Sequence, residues 1–242
     1  MGEYEYRGNR YPIPFGSYGD ISCIVGASKS QKTFFKSAIV AGYLGGQSTG
    51  YFPNIIGLDN SDKWVIDIDT EQSRYHSQRT FRRSEFMTNT LNPKYKCFAL
   101  REYTPPERVK FIEWLLYESP YSDNIGLVSI DGYSDLVTDF NNIDQASELV
   151  NKLMKWSTDK NCHITGILHR NFGTQKPVGH VGSFILKKSE TVVFAENFKD
   201  DGYTQITCEY SRGLPFEDIY FQINDDHLPF EISCPIGGKL QF

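Results

Sequence analysis

The run Gly26-Ala27-Ser28-Lys29-Ser30-Gln31-Lys32-Thr33 sets a glycine, a lysine and a hydroxyl residue at a spacing able to hold phosphate. It reads G-x-x-x-x-x-K-T and directly follows the apolar stretch Ile21-Ser22-Cys23-Ile24-Val25. In a loop of this kind a strand stops and consecutive backbone N–H groups wrap the β- and γ-phosphates of a nucleotide. The next helix adds the positive end of its dipole. Lys32 would reach the terminal phosphates, and the Thr33 hydroxyl would ligate Mg²⁺. A P-loop ordinarily has a second glycine just before its lysine, and here that place is held by Gln31. So short a pattern also arises by chance, and its surroundings must decide.

Hydrolysis of a nucleotide needs further groups: a carboxylate for the magnesium shell, an orienter for the attacking water and a group that senses the γ-phosphate. In α/β sheets these belong at the carboxyl ends of strands, beside the loop. Gly126-Leu127-Val128-Ser129-Ile130-Asp131 is an apolar strand ending in a carboxylate, the form of a Walker B element. The other reading of Asp131 is a cap for the turn Gly132-Tyr133-Ser134-Asp135. Glu71, in Asp67-Ile68-Asp69-Thr70-Glu71-Gln72-Ser73, follows a second strand and could align water. It equally suits the first turn of a helix with Asp69 as the cap, and spacing does not choose. His169, in Leu168-His169-Arg170-Asn171, ends a third apolar strand. The segment Phe172–Ser183 beyond it carries Gly173, Gly179 and Gly182, and Arg170, Lys176, His180, Lys187 and Lys188 make its surroundings basic. Such a loop suits nucleic-acid phosphates or a plain solvated surface.

The elements that would position these groups alternate as βαβ units. Strands are predicted at Ile21–Val25, Trp64–Ile68, Lys96–Leu100, Gly126–Ile130, His163–Leu168 and Thr191–Ala195, with helices at about 33–44, 72–88, 106–118 and 144–159. Thr104, Pro105, Pro106 and Glu107 form a helix-start signature. Ala146, Leu149, Val150, Leu153 and Met154 recur at helical spacing. This pattern predicts an α/β fold with a mostly parallel sheet covered on both faces. The last third, Tyr203–Tyr210 and Phe216–Ile223, predicts antiparallel hairpins continuing the sheet. One domain spanning 1–242 is expected, with 1–20 an extension, 21–223 the core and 224–242 a tail.

Bulk composition excludes several classes. At 242 residues the chain can bury a substantial core, and 39% hydrophobic with 23% charged residues is ordinary for a soluble protein. No stretch approaches a membrane span, and the polar, aromatic N-terminus is not a secretory signal. Tyr6 stands where a myristoylation motif needs Ser or Thr. The five scattered cysteines include no C-x-x-C pair and predict buried free thiols in a reducing cytoplasm. A net charge of −5 does not advertise a nucleic-acid face. The cluster Arg74, Arg79, Arg82 and Arg83 reads as a solvated helix face.

The ordered set G-A-S-K-S-Q-K-T, I-D-T-E-Q-S, L-V-S-I-D-G, G-I-L-H-R-N and G-S-F-I-L-K-K-S-E resembles the RecA-like ATPase core. It is closest to the RepA/DnaB-like hexameric helicase ATPases of bacterial plasmids, phages and mobilisable elements, over about Ile21 to Ile223. The resemblance implies that Gly26–Thr33 binds ATP, with Lys32 on phosphate and Thr33 on Mg²⁺. It implies Glu71 as catalytic base, Asp131 as the Walker B aspartate on Mg²⁺, and His169 as γ-phosphate sensor. It further implies 171–183 as a DNA-contacting loop and self-assembly into a hexamer or filament. A neighbouring subunit would supply a cationic finger, with Arg212 the first candidate and Lys187 and Lys188 its rivals. Arg212 also fits a plain hairpin turn. The implied activity is Mg²⁺-dependent ATP hydrolysis coupled to DNA in the cytoplasm, helicase-like or accessory to replication or mobilisation. Gln31 departs from the pattern and points to the alternative, a slow-hydrolysing switch or scaffold. The short stretch ahead of the core points away from a processive replicative helicase. A small-molecule kinase is the weaker third reading, since no lid segment is evident.

Overall fold

The computed structural model describes residues 1–45, 50–58, 62–89, 91–170 and 179–235. A hairpin comes first, β1 (Glu3–Tyr6) and β2 (Asn9–Pro12), turned by Arg7 and Gly8, both with positive φ. The main body follows as β3 (Ile21–Gly26), α1 (Lys32–Gly45), β4 (Trp64–Asp69), α2 (Arg74–Thr88), β5 (Tyr95–Ala99), α3 (Pro105–Tyr117) and β6 (Ile125–Asp131). A short 3₁₀ turn at Tyr133–Leu136 leads into α4 (Ile143–Lys160), β7 (His163–His169), α5 (Gly179–Lys188), β8 (Thr191–Phe198) and β9 (Tyr203–Ser211). β10 (Ile219–Ile223) and β11 (Pro229–Ile232) complete it.

Nine strands form one sheet in the order β11-β10-β9-β8-β3-β7-β6-β4-β5. The six from β8 to β5 run parallel, and β9, β10 and β11 extend it antiparallel. This is the α/β architecture the alternating pattern predicts. Every residue of β3 and β6 is buried, as strands covered on both faces must be. Alternation sorts their side chains: Ile21, Cys23 and Val25 pack with Leu153, Trp156 and Tyr133, while Ile24 faces Phe35 and Ala38 of α1. Gly166 in β7 is required by close approach, because a Cβ there would meet the Tyr133 ring at 2.4 Å. That ring's hydroxyl donates to Ser22 O (3.1 Å) and lies 3.3 Å from Ile164 O, riveting the 3₁₀ turn beneath the sheet.

One fully buried ion pair braces α1 against the sheet. Lys36 Nζ donates to Asp67 Oδ1 at 2.9 Å, both side chains having no exposure, and the Tyr95 hydroxyl donates to Asp67 Oδ2 at 2.8 Å. At the head of α3, Glu107 Oε2 accepts from the backbone N–H (2.8 Å) and the hydroxyl (2.7 Å) of Thr104.

Several sequence expectations change. Within the loop expected over 171–183, residues from Gly179 onward instead begin α5, burying Val181 and Ile185. The strand expected from Phe216 begins at Ile219, and pairing continues beyond 223 through β11. The thiols are not all buried: Cys23 and Cys162 are, Cys97 and Cys208 are partly covered, and Cys234 is exposed. Arg83 does not belong to a solvated face. Its guanidinium lies 3.8 Å over the Phe34 ring and donates to Ser37 Oγ at 3.2 Å, and burial lowers its pKa to about 10.

Candidate functional site

β3 ends at Gly26, whose in-register neighbours are His169 of β7 and Ala195 of β8. The chain then turns through Ala27–Gln31 into α1. Gly26 admits no side chain, since a Cβ would stand 2.4 Å from Ser30 Oγ and 2.6 Å from Ala195 O. Lys29 and Gln31 both take left-handed φ of 64°. For a residue with a Cβ this conformation costs roughly 1–2 kcal/mol, which explains the usual glycine before the lysine. Gln31 adopts the glycine-like backbone regardless, and its Oε1 accepts from the Thr204 hydroxyl at 2.7 Å.

Lys32 opens α1 with its ammonium folded over the loop. Nζ donates to Gly26 O at 3.0 Å and Ala27 O at 2.6 Å. Burial lowers its pKa to about 8, with Asp131 and Glu71 pulling the other way. The next residue, Thr33, donates from its hydroxyl to Asp131 Oδ2 at 2.9 Å. Burial pushes Asp131 up to about 6, and the nearby Asp69 and Glu71 carboxylates add to the shift while Lys36 and the Thr33 bond oppose it.

Asp69 stands opposite Asp131 in the register of β4 and β6. Its Oδ1 accepts from the backbone N–H groups of Glu71 (3.0 Å) and Gln72 (2.8 Å). α2 begins only at Arg74, so Glu71 sits on a carboxylate-braced bend ahead of the helix and not in its first turn. Glu71 Oε2 meets His169 Nε2 at 3.4 Å, and this contact holds the Glu71 carboxyl below its ordinary value. Both side chains are partly open to solvent, where a water and a phosphate can reach them.

Two members of the cluster escaped the sequence reading. The Thr70 N–H donates to Asp131 O at 2.7 Å, and its Oγ1 lies 2.7 Å from Asp135 Oδ2 and accepts from Gly132 N at 2.8 Å. Thr70 thereby locks the ends of β4 and β6 together. A hydroxyl directly after a strand-ending aspartate is the available signal. Arg108 anchors the same corner by donating to the carbonyls of Leu100, Arg101 and Asp135.

The donor set fits magnesium. Thr33 and Asp131 present oxygens side by side, and Asp69 Oδ2 is buried without a hydrogen-bond partner. Oxygen ligands suit a hard cation that keeps much of its shell as water and phosphate. Among the described residues no cluster of three His, Cys, Asp or Glu could hold a metal alone, so the remaining ligands would come from outside the side chains, from water or a bound phosphate.

Not every predicted residue joins the site. Arg212 donates to Asp20 Oδ1 (3.0 Å) and to Lys188 O (3.1 Å), beside the start of β3. Lys187 and Lys188 end α5 in the same region. All three finger candidates therefore lie at the end of β3 opposite the loop in their own chain. Of the expected 171–183 contact loop, 171–178 lies outside the described residues and 179–183 is the first part of α5. Arg170 remains near the site: its N–H donates to Gly26 O at 3.1 Å, and its guanidinium lies 3.8 Å from Glu196. A cavity of about 340 Å³ between α3 and α4, lined by Pro106, Val109, Leu136 and Lys152 among others, lies apart from the loop.

No family model matches the sequence, and no curated protein matches it. Among solved structures, the crystal structure of the RadB recombinase is similar, with a TM-score of 0.59 at 19% identity over 90% of this chain and 93% of that one. At that identity the likeness carries the fold, a RecA-like one, and no more. Among the described residues no helix is long and apolar enough to cross a membrane.

Proposed function

We propose that the chain is a Mg²⁺-dependent ATPase that acts on DNA. The observation carrying this reading is the convergence of Lys32, the Thr33–Asp131 bond and the Glu71–His169 pair around one loop, from the ends of β3, β6, β4 and β7. Lys32 would exchange the carbonyls of Gly26 and Ala27 for phosphate oxygens. Glu71 would orient a water for in-line attack on the γ-phosphate and take its proton. His169, adjoining both Glu71 and the chain leading to 171–178, would couple γ-phosphate loss to that segment. Magnesium would supply neutralisation of the charge developing on the phosphates.

DNA as the macromolecular partner and assembly with further copies of the chain are part of this proposal and follow what the motif set's resemblance to RecA-like ATPases implies. Helicase-like translocation, an accessory role on a mobile element, a cytoplasmic location and a finger from Arg212, Lys187 or Lys188 of a neighbouring copy all belong to this proposal. Arg212 would have to leave Asp20 to serve as that finger.

A second reading, a slowly hydrolysing switch, is favoured by the left-handed Gln31 and its bond to Thr204. ATP turnover with and without single-stranded DNA, for wild type, Lys32→Ala and Glu71→Gln, separates the two. DNA-stimulated turnover lost in both variants supports the ATPase. Nucleotide binding without turnover in the wild type supports the switch, and a wild type that binds no ATP sinks both.

A further inference from the structure

Asn197 and Thr204 face one another as a cross-strand pair of the β8–β9 hairpin. Each reaches the phosphate loop. Asn197 Nδ2 donates to Lys29 O at 3.3 Å, and the Thr204 hydroxyl donates to Gln31 Oε1 at 2.7 Å. Lys29 and Gln31 are the two residues between Gly26 and Thr33 with left-handed backbone, both at φ 64°. Strained conformations of this kind persist only where the surroundings over-determine them. Here each strained residue is gripped by one member of the pair. Thr204 is fully buried, so its hydroxyl has no bulk water to turn to.

We infer that the β8–β9 hairpin, acting through Thr204 and Gln31, is a positioning device that holds the loop in its phosphate-ready shape and so sets nucleotide affinity. The inference rests on the nucleotide-binding reading above. Where a P-loop with glycine reaches this conformation freely, this chain substitutes a side-chain tether to an antiparallel strand outside the parallel core. Thr204 itself need not touch nucleotide; it acts through Gln31.

The test is a cycle of binding measurements with a fluorescent, non-hydrolysable ATP analogue and Mg²⁺. The proteins are wild type, Thr204→Val, Gln31→Gly and Gln31→Gly/Thr204→Val, with Thr204→Ser as the conservative rescue. Valine keeps the buried shape and removes the hydroxyl. In the wild-type background Thr204→Val is expected to weaken binding by about three- to tenfold, the factor set by one net hydrogen bond. In the Gln31→Gly background the same change has no side chain to release, and its effect should vanish. Thr204→Ser should recover most of the loss. A merely structural threonine would weaken both backgrounds equally. That result, or no loss in the wild-type background, overturns the inference while leaving nucleotide binding intact. A wild type that binds no analogue overturns the nucleotide reading and this inference together.

Discussion

The Thr33 hydroxyl donates to Asp131 Oδ2 at 2.9 Å, joining the first turn of α1 to the end of β6 across the width of β7. Burial pushes the Asp131 pKa up to about 6 from an ordinary 3.8. The folded pKa is raised, so the ionised carboxylate is disfavoured in the fold. Its cost is absent below about pH 4 and fully present above about pH 6. A rise of that size corresponds to roughly 3 kcal/mol, and the weaker bond that Thr33 makes to a neutral amide oxygen offsets part of that. Asp131→Asn is therefore expected to be more stable than wild type near neutral pH, by about 1–2 kcal/mol, and to melt higher. The gain should close as the pH falls to about 4, while ATP turnover drops steeply. A lower melting temperature at neutral pH would contradict burial as the dominant influence on Asp131.

Lys32 gives the opposite pH signature. Burial lowers it to about 8 from 10.5, so its charge weighs on the fold below pH 8, and that cost disappears as the pH rises through 10.5. Bound phosphate favours the ammonium and lifts the pKa again. Nucleotide binding above pH 8 should then take up a proton, seen as a buffer-dependent heat in calorimetry. Affinity should fall by up to about tenfold per pH unit in that range. Lys32→Arg should flatten the profile, because guanidinium stays charged. Wild-type affinity unchanged between about pH 7 and 9.5 would rule out this account.

The Glu71–His169 contact divides binding from turnover. Glu71→Gln is expected to keep nucleotide affinity and lose about 10²- to 10⁴-fold in turnover, the usual range for a general base. The His169 hydrogen bond is the largest influence holding Glu71 down. His169→Ala should therefore move the acid limb of kcat to higher pH. An unmoved limb would show that Glu71 does not govern it.

Lys36 and Asp67 test the brace beneath the site. Lys36→Met leaves Asp67 buried with only the Tyr95 hydroxyl, and breaking such a pair costs about 3–5 kcal/mol. Lys36→Met/Asp67→Asn removes the stranded charge yet keeps an acceptor for Tyr95. Chemical denaturation should find the double variant more stable than the single one. Equal or greater loss in the double variant would mean that the stranded charge is not what destabilises Lys36→Met.

Much of the fold is legible in the sequence, because the parallel strands are short apolar runs and α3 opens on a capping signature. Each of the six parallel strands is recognisable within a residue or two at its start, though β8 runs three residues beyond the predicted end. The hairpin of β1 and β2 is not, since its tyrosines lie on the exposed surface and add nothing to the buried core; only the Arg7-Gly8 turn betrays it. α5 escapes because Gly179 and Gly182 break its periodicity, and β11 because four residues at a sheet edge make a weak pattern. At the site, residue types announce Lys32, Thr33 and Asp131, but the side chain gripping Gln31 lies 173 positions away. Whether Glu71 belonged to a helix turn depended on Asp69, whose second role as a bracket for two backbone amides has no mark in the spacing. Arg83 reads as surface until Phe34 is placed beneath it.

β3 is flanked by parallel neighbours on both sides, with Gly26 paired to His169 and to Ala195. The Gly26 amide, in a strand paired on both sides, is therefore expected to exchange with the slowest, globally opening part of the structure. A ligand held there is coupled to the global unfolding equilibrium and not to a local opening, so its occupancy should slow exchange throughout the parallel strands together.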